Sequence, residues 1–252
     1  MTDAAFSLTS ASKGYDVWRR LRRTRARGVD GVTLAVPRGC VFALLGLNGA
    51  GKTTAMRLLV GLLRPDRGTV RVLGGDPAAD PAIRARIGYL PELPYLPRQM
   101  TGRALLRHYG RMSGLAGRPL SNRVERALEL TGIRERAGDP LHLCSKGQVQ
   151  RVAMAQALLH EPDVLFLDEP LSGLDPRGIA EMRDLIARLK AAGATVCVNS
   201  HQIAEVERIC DRAGILAEGR LAAEGSLGEL RARSPAGSLE DAVLRAAGVA
   251  RP

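Results

Sequence analysis

Val41-Phe42-Ala43-Leu44-Leu45 followed by Gly46-Leu47-Asn48-Gly49-Ala50-Gly51-Lys52-Thr53-Thr54 is the stretch on which the fold turns. The second part fits G-x-x-x-x-G-K-[ST], and the apolar run before it reads as a buried strand. After it, the pattern from about Lys52 to Leu62 reads as an amphipathic helix. Glycines belong here because the backbone must wrap closely around phosphates and offer them its N–H groups. The start of the helix adds partial positive charge at the same place. Gly46, Asn48, Gly49, Ala50, Gly51, Lys52, Thr53 and Thr54 form the expected nucleotide-binding set. Lys52 is placed to reach the β- and γ-phosphates, and the Thr53 hydroxyl to ligate Mg²⁺.

A phosphate loop needs a carboxylate at the end of another buried strand. Val164-Leu165-Phe166-Leu167-Asp168-Glu169-Pro170 offers two. Asp168 is the expected Mg²⁺ holder, and Glu169 is placed to polarise an attacking water. Two acids after four apolar residues also suit a strand leaving the core for solvent, but the phosphate loop upstream favours chemistry.

Working outward, short apolar runs predict strands near Phe6–Ser10, Val32–Val36, Thr69–Leu73 and Ile87–Leu90, with a short helix beginning near Pro81. At Glu92 the texture changes to helix-period patterns, Leu105–Met112 and Val124–Leu130, with no strand until Val164. Alternation then returns: a helix over Arg177–Ala191, a strand over Thr195–Val198, and a helix over Ile203–Cys210. The hairpin Gly214–Leu216 to Leu221–Ala223 turns at Glu218-Gly219. A helical insert of about 92–160 is thus expected inside an α/β body, and the tail from 226 reads as two short helices around Ser234-Pro235.

The 252 residues, 45% hydrophobic and 25% charged, suit a folded soluble chain with one large core or two intimate ones. No apolar run approaches the ~20 residues that cross a bilayer. The first residues lack a signal-peptide core; an Arg- and Ser-rich transit peptide is the alternative, opposed by the strand that leads to Tyr15. Cys40, Cys144, Cys197 and Cys210 have no ligand-like spacing, which predicts reduced structural thiols. The net charge of +11 comes almost entirely from arginine. One cluster stands out: Arg19, Arg20, Arg22, Arg23, Arg25 and Arg27. It reads either as a solvated basic loop or as a patch for anionic lipid headgroups or an acidic partner face. With little aromatic interleaving beyond Trp18, base stacking is not supported.

The order of these motifs resembles the ATP-binding cassette (ABC) ATPase family over about residues 4–225. Cys144-Ser145-Lys146-Gly147-Gln148 resembles the family signature, commonly Leu-Ser-Gly-Gly-Gln, with Ser145, Gly147 and Gln148 matching and Cys144 and Lys146 departing. The resemblance implies that this segment meets the γ-phosphate held by another protomer; by its residues alone, Ser145 is a helix N-cap. Ser172-Gly173-Leu174-Asp175 resembles the D-loop, and His201 stands at the family's switch position. Tyr15, or alternatively Trp18, is the candidate to stack on adenine. Gly88-Tyr89-Leu90-Pro91-Glu92 resembles the loop where the family usually has Gln at the Mg²⁺ and the water, so Glu92 is a variant there.

The implied fold is a P-loop NTPase of the ABC type, α/β, with an embedded helical subdomain and an antiparallel β subdomain. The implied function is ATP hydrolysis with Mg²⁺, by two copies or a copy and a paralogue, energising a separate transmembrane permease, with export favoured. Glu169 and His201 would be catalytic, Ser145, Lys146, Gly147 and Gln148 would act in trans, and Asp175 would cross the dimer interface. The ending Ser238–Arg245 resembles ATPases of type-two exporters. The implied place is cytoplasmic, peripheral on the inner face of the cell membrane. A soluble ABC ATPase of an assembly machine, as in iron–sulfur cluster biogenesis, is the alternative. A nucleic-acid-linked one is disfavoured, since the chain has neither a coiled-coil insert nor a second cassette.

Overall fold

The computed structural model describes residues 4–19, 22–234 and 237–249. Strand β3 (Val41–Leu45) is buried at every position, as an unbroken apolar run demands of a strand covered on both faces. It runs parallel to β7 (Thr195–Asn199) on one side and β8 (Arg212–Ala217) on the other. β6 (Val164–Asp168) and β5 (Ile87–Leu90) extend the sheet beyond β7. β9 (Arg220–Ser226) closes the other edge antiparallel, giving the order β5-β6-β7-β3-β8-β9. A second sheet, antiparallel and ordered β2-β1-β4, contains β1 (Ala4–Arg19), β2 (Arg22–Pro37) and β4 (Arg67–Val72).

The chain's three phenylalanines join the two sheets. The Phe6 ring lies 6.1 Å from that of Phe42 and 5.3 Å from that of Phe166, so β1 packs on β3 and β6. Such ring pairs add about 0.5–1.5 kcal/mol each beyond simple burial. Helix α1 (Lys52–Leu59) contributes Met56, Leu58 and Leu59 to the same core. The phosphate loop is therefore gripped by both sheets.

The helical region follows a short α2 (Pro81–Arg84) and β5, and contains α3 (Gly102–Met112), α4 (Gly117–Leu130) and α5 (Lys146–Leu158). It has its own core around Leu105, Leu106, Val124, Leu128 and Val152. Helix α5 serves two cores at once: Val152, Ala155 and Leu159 just beyond its end face the helical region, while Ala153, Met154, Ala157 and Leu158 face the parallel sheet. A helix buried on two sides shows no single apolar stripe. After β6 come α6 (Pro176–Ala191), α7 (Ile203–Ile209), α8 (Leu227–Ala232) and α9 (Leu239–Ala246).

Two sequence expectations are revised. The helix expected to run to Leu62 ends at Leu59, because Gly61 takes φ +75° and a Cβ there would stand 2.3 Å from the Pro77 carbonyl oxygen. The backbone of Arg19, Arg22, Arg23, Arg25 and Arg27 is strand rather than loop: the β1–β2 ladder continues to the pair Arg19↔Arg22. Backbone pairing is indifferent to side-chain polarity, so the apolar pattern underestimates such strands. Arg20 lies outside the described residues. The tail after 226 forms the two short helices expected of it, and both join the core. Leu227, Leu230, Leu239 and Val243 are buried in the core that holds Val41, Val206 and Ile215.

Candidate active site

The site lies where β3, β6 and β7 reach their C-terminal ends, the usual ligand position of a parallel sheet. Gly46, Gly49 and Gly51 all have positive φ. At Gly46 a Cβ would stand 2.3 Å from the Leu216 carbonyl oxygen, and at Gly51 2.2 Å from that of Gly28. Glycine is thus required twice over, by conformation and by space. Gly219 N–H donates to the Ala50 carbonyl (3.1 Å) and Asp30 N–H to that of Gly219 (2.7 Å), so the β8–β9 turn braces the loop.

Lys52 is 8% exposed, and its ammonium donates to the carbonyls of Gly46 (2.7 Å) and Leu47 (3.1 Å). Burial lowers its pKa, while the nearby Glu169 and Asp168 charges raise it. Gly51 caps α1 with no side-chain hydrogen bond, leaving first-turn N–H groups for an anion. The Tyr15 hydroxyl donates to Thr54 Oγ1 at 3.2 Å. The alternative aromatic, Trp18, has its side chain outside the described residues.

Opposite stand the acids. Asp168 is 2% exposed and accepts a short hydrogen bond from Asn199 Nδ2, its neighbour across the parallel β6–β7 ladder. Burial raises the Asp168 pKa, the Asn199 bond lowers it, and the charges of Glu92 and Glu169 raise it further. Glu169 turns out of the strand at φ +51°, with its N–H donating to the Asn199 carbonyl at 2.8 Å. Its Oε1 accepts from His201 N–H (3.0 Å) and lies 2.9 Å from His201 Nδ1; its Oε2 accepts from the Ser200 hydroxyl at 3.3 Å. The geometry assigns the His201 proton to Nδ1 when the ring is neutral. The ring is otherwise open, 64% exposed.

Tyr15, Asn48 to Thr54, Glu92, Glu169, Asn199 and His201 line one cleft of about 500 Å³. Glu92, just past β5, is exposed at its rim. Sequence reasoning passed over Asn199 and Ser200. The signal was faint: two polar residues ending an apolar strand just before His201.

Ser145 to Gln148 are not in this cleft. Ser145 caps α5 in a reciprocal pair: its hydroxyl accepts from Gln148 N–H (3.2 Å), and Gln148 Oε1 accepts from Ser145 N–H (2.9 Å). Asp175 caps α6, accepting from Gly178 N–H at 2.7 Å. The two helix starts share a second cleft of about 550 Å³, in which Lys146 lies across Gly173. Arg151 ties them together, donating to the Thr131 carbonyl and to Glu181 of α6. The two clefts share no lining residue, so Ser145 to Gln148 and the phosphate loop belong to separate clefts of the chain.

A family model for the ABC transporter matches residues 29–172. The chain is 46% identical over 204 residues to an uncharacterized ABC transporter ATP-binding protein of Nostoc sp.; the match covers 80% of this chain, which spans 61% of that relative's length. It is 38% identical over 249 residues to the daunorubicin resistance ATP-binding protein DrrA3 of Streptomyces coeruleorubidus, covering 98% of this chain and 76% of the relative. Among solved structures, the ATP binding subunit of an ABC transporter aligns with a TM-score of 0.83 at 31% identity, over 96% of this chain and 99% of that one.

Proposed function

This chain belongs to the ABC transporter family of ATP-binding proteins, and from that membership we propose that it hydrolyses ATP to drive a separate membrane permease. The observation that carries the reading is the Glu169 carboxylate, held by His201 and Ser200 on the wall of the cleft whose floor is the phosphate loop. In this reading the loop N–H groups and Lys52 bind the β- and γ-phosphates, exchanging the lysine's bonds to Gly46 and Leu47 for phosphate oxygens. Tyr15 covers the adenine end. Glu169 accepts a proton from the attacking water, and His201 holds the carboxylate in place while its open ring edge meets the γ-phosphate.

The residues present suit Mg²⁺. Among the described residues no group of three or more His, Cys, Asp or Glu is arranged to hold a metal alone. Mg²⁺ needs no such cage: it takes one or two carboxylates and fills its shell with water and phosphate oxygens. Thr53, Asp168 and Glu92 provide hard oxygen donors, and Asp168 carries a buried charge that a cation would offset. When bound, the ion would neutralise charge on the phosphates.

The second cleft completes the first in a dimer, each nucleotide lying between the phosphate loop of one copy and Ser145 to Gly147 of the other. Asp175 would lie at that interface. Among the described residues no helix is long and apolar enough to cross a membrane; in this reading the membrane passage belongs to a partner, with this chain peripheral on its cytoplasmic side. The resistance role in the name of DrrA3 supports export. A steady-state ATPase assay tests the reading, comparing wild type with Glu169→Gln, with and without Mg²⁺. Mg²⁺-dependent turnover that collapses in the variant while ATP binding persists supports it; failure to bind ATP at all would sink it.

A further inference from the structure

Between positions 13 and 28 the chain carries Lys13 and six arginines against a single acid, Asp16. Nothing in the nucleotide chemistry uses the arginines. The last pair joining β1 to β4 is Ser12↔Arg67, whereas β1 and β2 stay paired from Lys13↔Val29 on to Arg19↔Arg22. Past position 13 the two strands therefore run on as a ribbon, with no third strand among the described residues, for about 20 Å at ~3.3 Å per residue.

The register distributes the positions between two faces. Gly14, Asp16, Trp18, Arg23, Arg25 and Arg27 share one face, since they are cross-strand partners at alternate positions. Tyr15, Val17, Arg19, Arg22, Thr24 and Ala26 share the other. A two-stranded ribbon is marginal in water, and like charges directly opposite, as at Arg19↔Arg22, destabilise it. On the other face Arg23, Arg25 and Arg27 stand at alternate positions of one strand with Asp16, opposite Arg25, as the one acid, which leaves an excess of positive charge. An anionic surface would remove it.

We propose that the β1–β2 ribbon is a docking arm for anionic phospholipid headgroups, engaged through Arg23, Arg25 and Arg27, which share the face of Trp18. Guanidinium groups match phosphate geometry. The chain's one tryptophan, Trp18, sits next to the ribbon's last register pair and pairs with Arg23; tryptophan is the side chain that settles at headgroup level. Nucleic acid fits less well, because single-strand binding relies on several stacking aromatics, and the ribbon's other aromatic, Tyr15, is hydrogen-bonded to Thr54 in the nucleotide cleft. Since Tyr15 belongs to the same ribbon, lipid contact would bear on the element that closes that cleft.

The test uses the full chain without nucleotide, mixed with vesicles of phosphatidylcholine alone or of equal parts phosphatidylcholine and phosphatidylglycerol. The chain is expected to sediment with the mixed vesicles only, to be released by high salt, and to show a blue shift of Trp18 emission on binding. As the sole tryptophan, Trp18 reports without any substitution. Replacing Arg23, Arg25 and Arg27 by Ser is expected to weaken binding roughly fivefold per residue, on the order of a hundredfold together; retained ATP binding shows that this variant is folded. Equal binding to neutral vesicles, absence of binding to either vesicle, sedimentation without a Trp18 shift, or a folded triple variant that binds like wild type would each overturn the proposal. So would tighter retention by duplex DNA than by the mixed vesicles at the same salt, which would assign the ribbon to nucleic acid.

Discussion

Glu169 adopts a left-handed backbone conformation that costs a glutamate about 1–3 kcal/mol, and three hydrogen-bond or ion-pair contacts to Ser200 and His201 hold its carboxylate. A strained, buried acid tied to an exposed histidine is an arrangement made for placement. Glu169→Gln preserves the shape and removes the proposed base, so turnover should fall by at least about a hundredfold with ATP affinity little changed, as single-turnover hydrolysis and equilibrium binding would show. Asp168 behaves differently. Burial raises its pKa, so in the folded chain the proton is held more tightly than in the unfolded one. Stability from this group is present at low pH and is lost as pH rises from the ordinary aspartate value through the raised one. Asp168→Asn should therefore raise the melting temperature of the nucleotide-free protein at pH 7, and raise it less at pH 4. Mg²⁺-dependent hydrolysis should be lost in the same variant; a lower melting temperature at pH 7 would contradict the account.

At the scale of elements, two helix starts separate packing from chemistry. Ser145 caps α5 through its hydroxyl, a role that aspartate fills equally well. Ser145→Asp should leave urea stability within about 0.5 kcal/mol of wild type, yet reduce ATPase activity at least about tenfold, because in the proposed dimer it brings a carboxylate toward the partner's γ-phosphate. Ser145→Ala should instead cost about 1 kcal/mol of stability. If both variants hydrolyse ATP normally, the segment is only a cap. Gly51 makes the complementary point: at φ +102°, with the Gly28 carbonyl where a Cβ would stand, Gly51→Ala should lower stability by about 1–3 kcal/mol and abolish nucleotide binding. Urea denaturation and titration with a fluorescent ATP analogue would measure both.

For the whole molecule, the burial of α8 and α9 makes the end of the chain part of the core. Leu239 is 0% exposed and packs with the residues beneath β8 and α7, so Leu239→Ala should cost about 2–5 kcal/mol by urea denaturation. A surface tail would show almost no loss. The proposed dimer also predicts that specific ATPase activity rises with protein concentration, and that mixing Ser145→Asp with Glu169→Gln restores part of the activity, since one composite site of a mixed dimer keeps both Ser145 and Glu169 while the other carries both changes; no recovery on mixing would contradict it.

Much was legible because it is local. The five-residue run before Gly46, the glycine spacing and the acids after Val164 depend on strand length, backbone space and the end of a strand, and all of these are written within a dozen residues. The strands β3 and β5 could be bounded to the residue for the same reason. What the sequence could not specify is what distant segments do to one another. Asn199 reaches Asp168, and Ser200 reaches Glu169, only because β6 and β7 lie side by side in parallel register. The ladder beyond Ser12 rests on backbone bonds that carry no side-chain signature, and the tail's burial on the faces that β8 and α7 leave open. Local chemistry is a property of spacing along the chain; the positions of the second acid's partners, the ribbon and the tail are properties of three-dimensional packing, which only the fold decides.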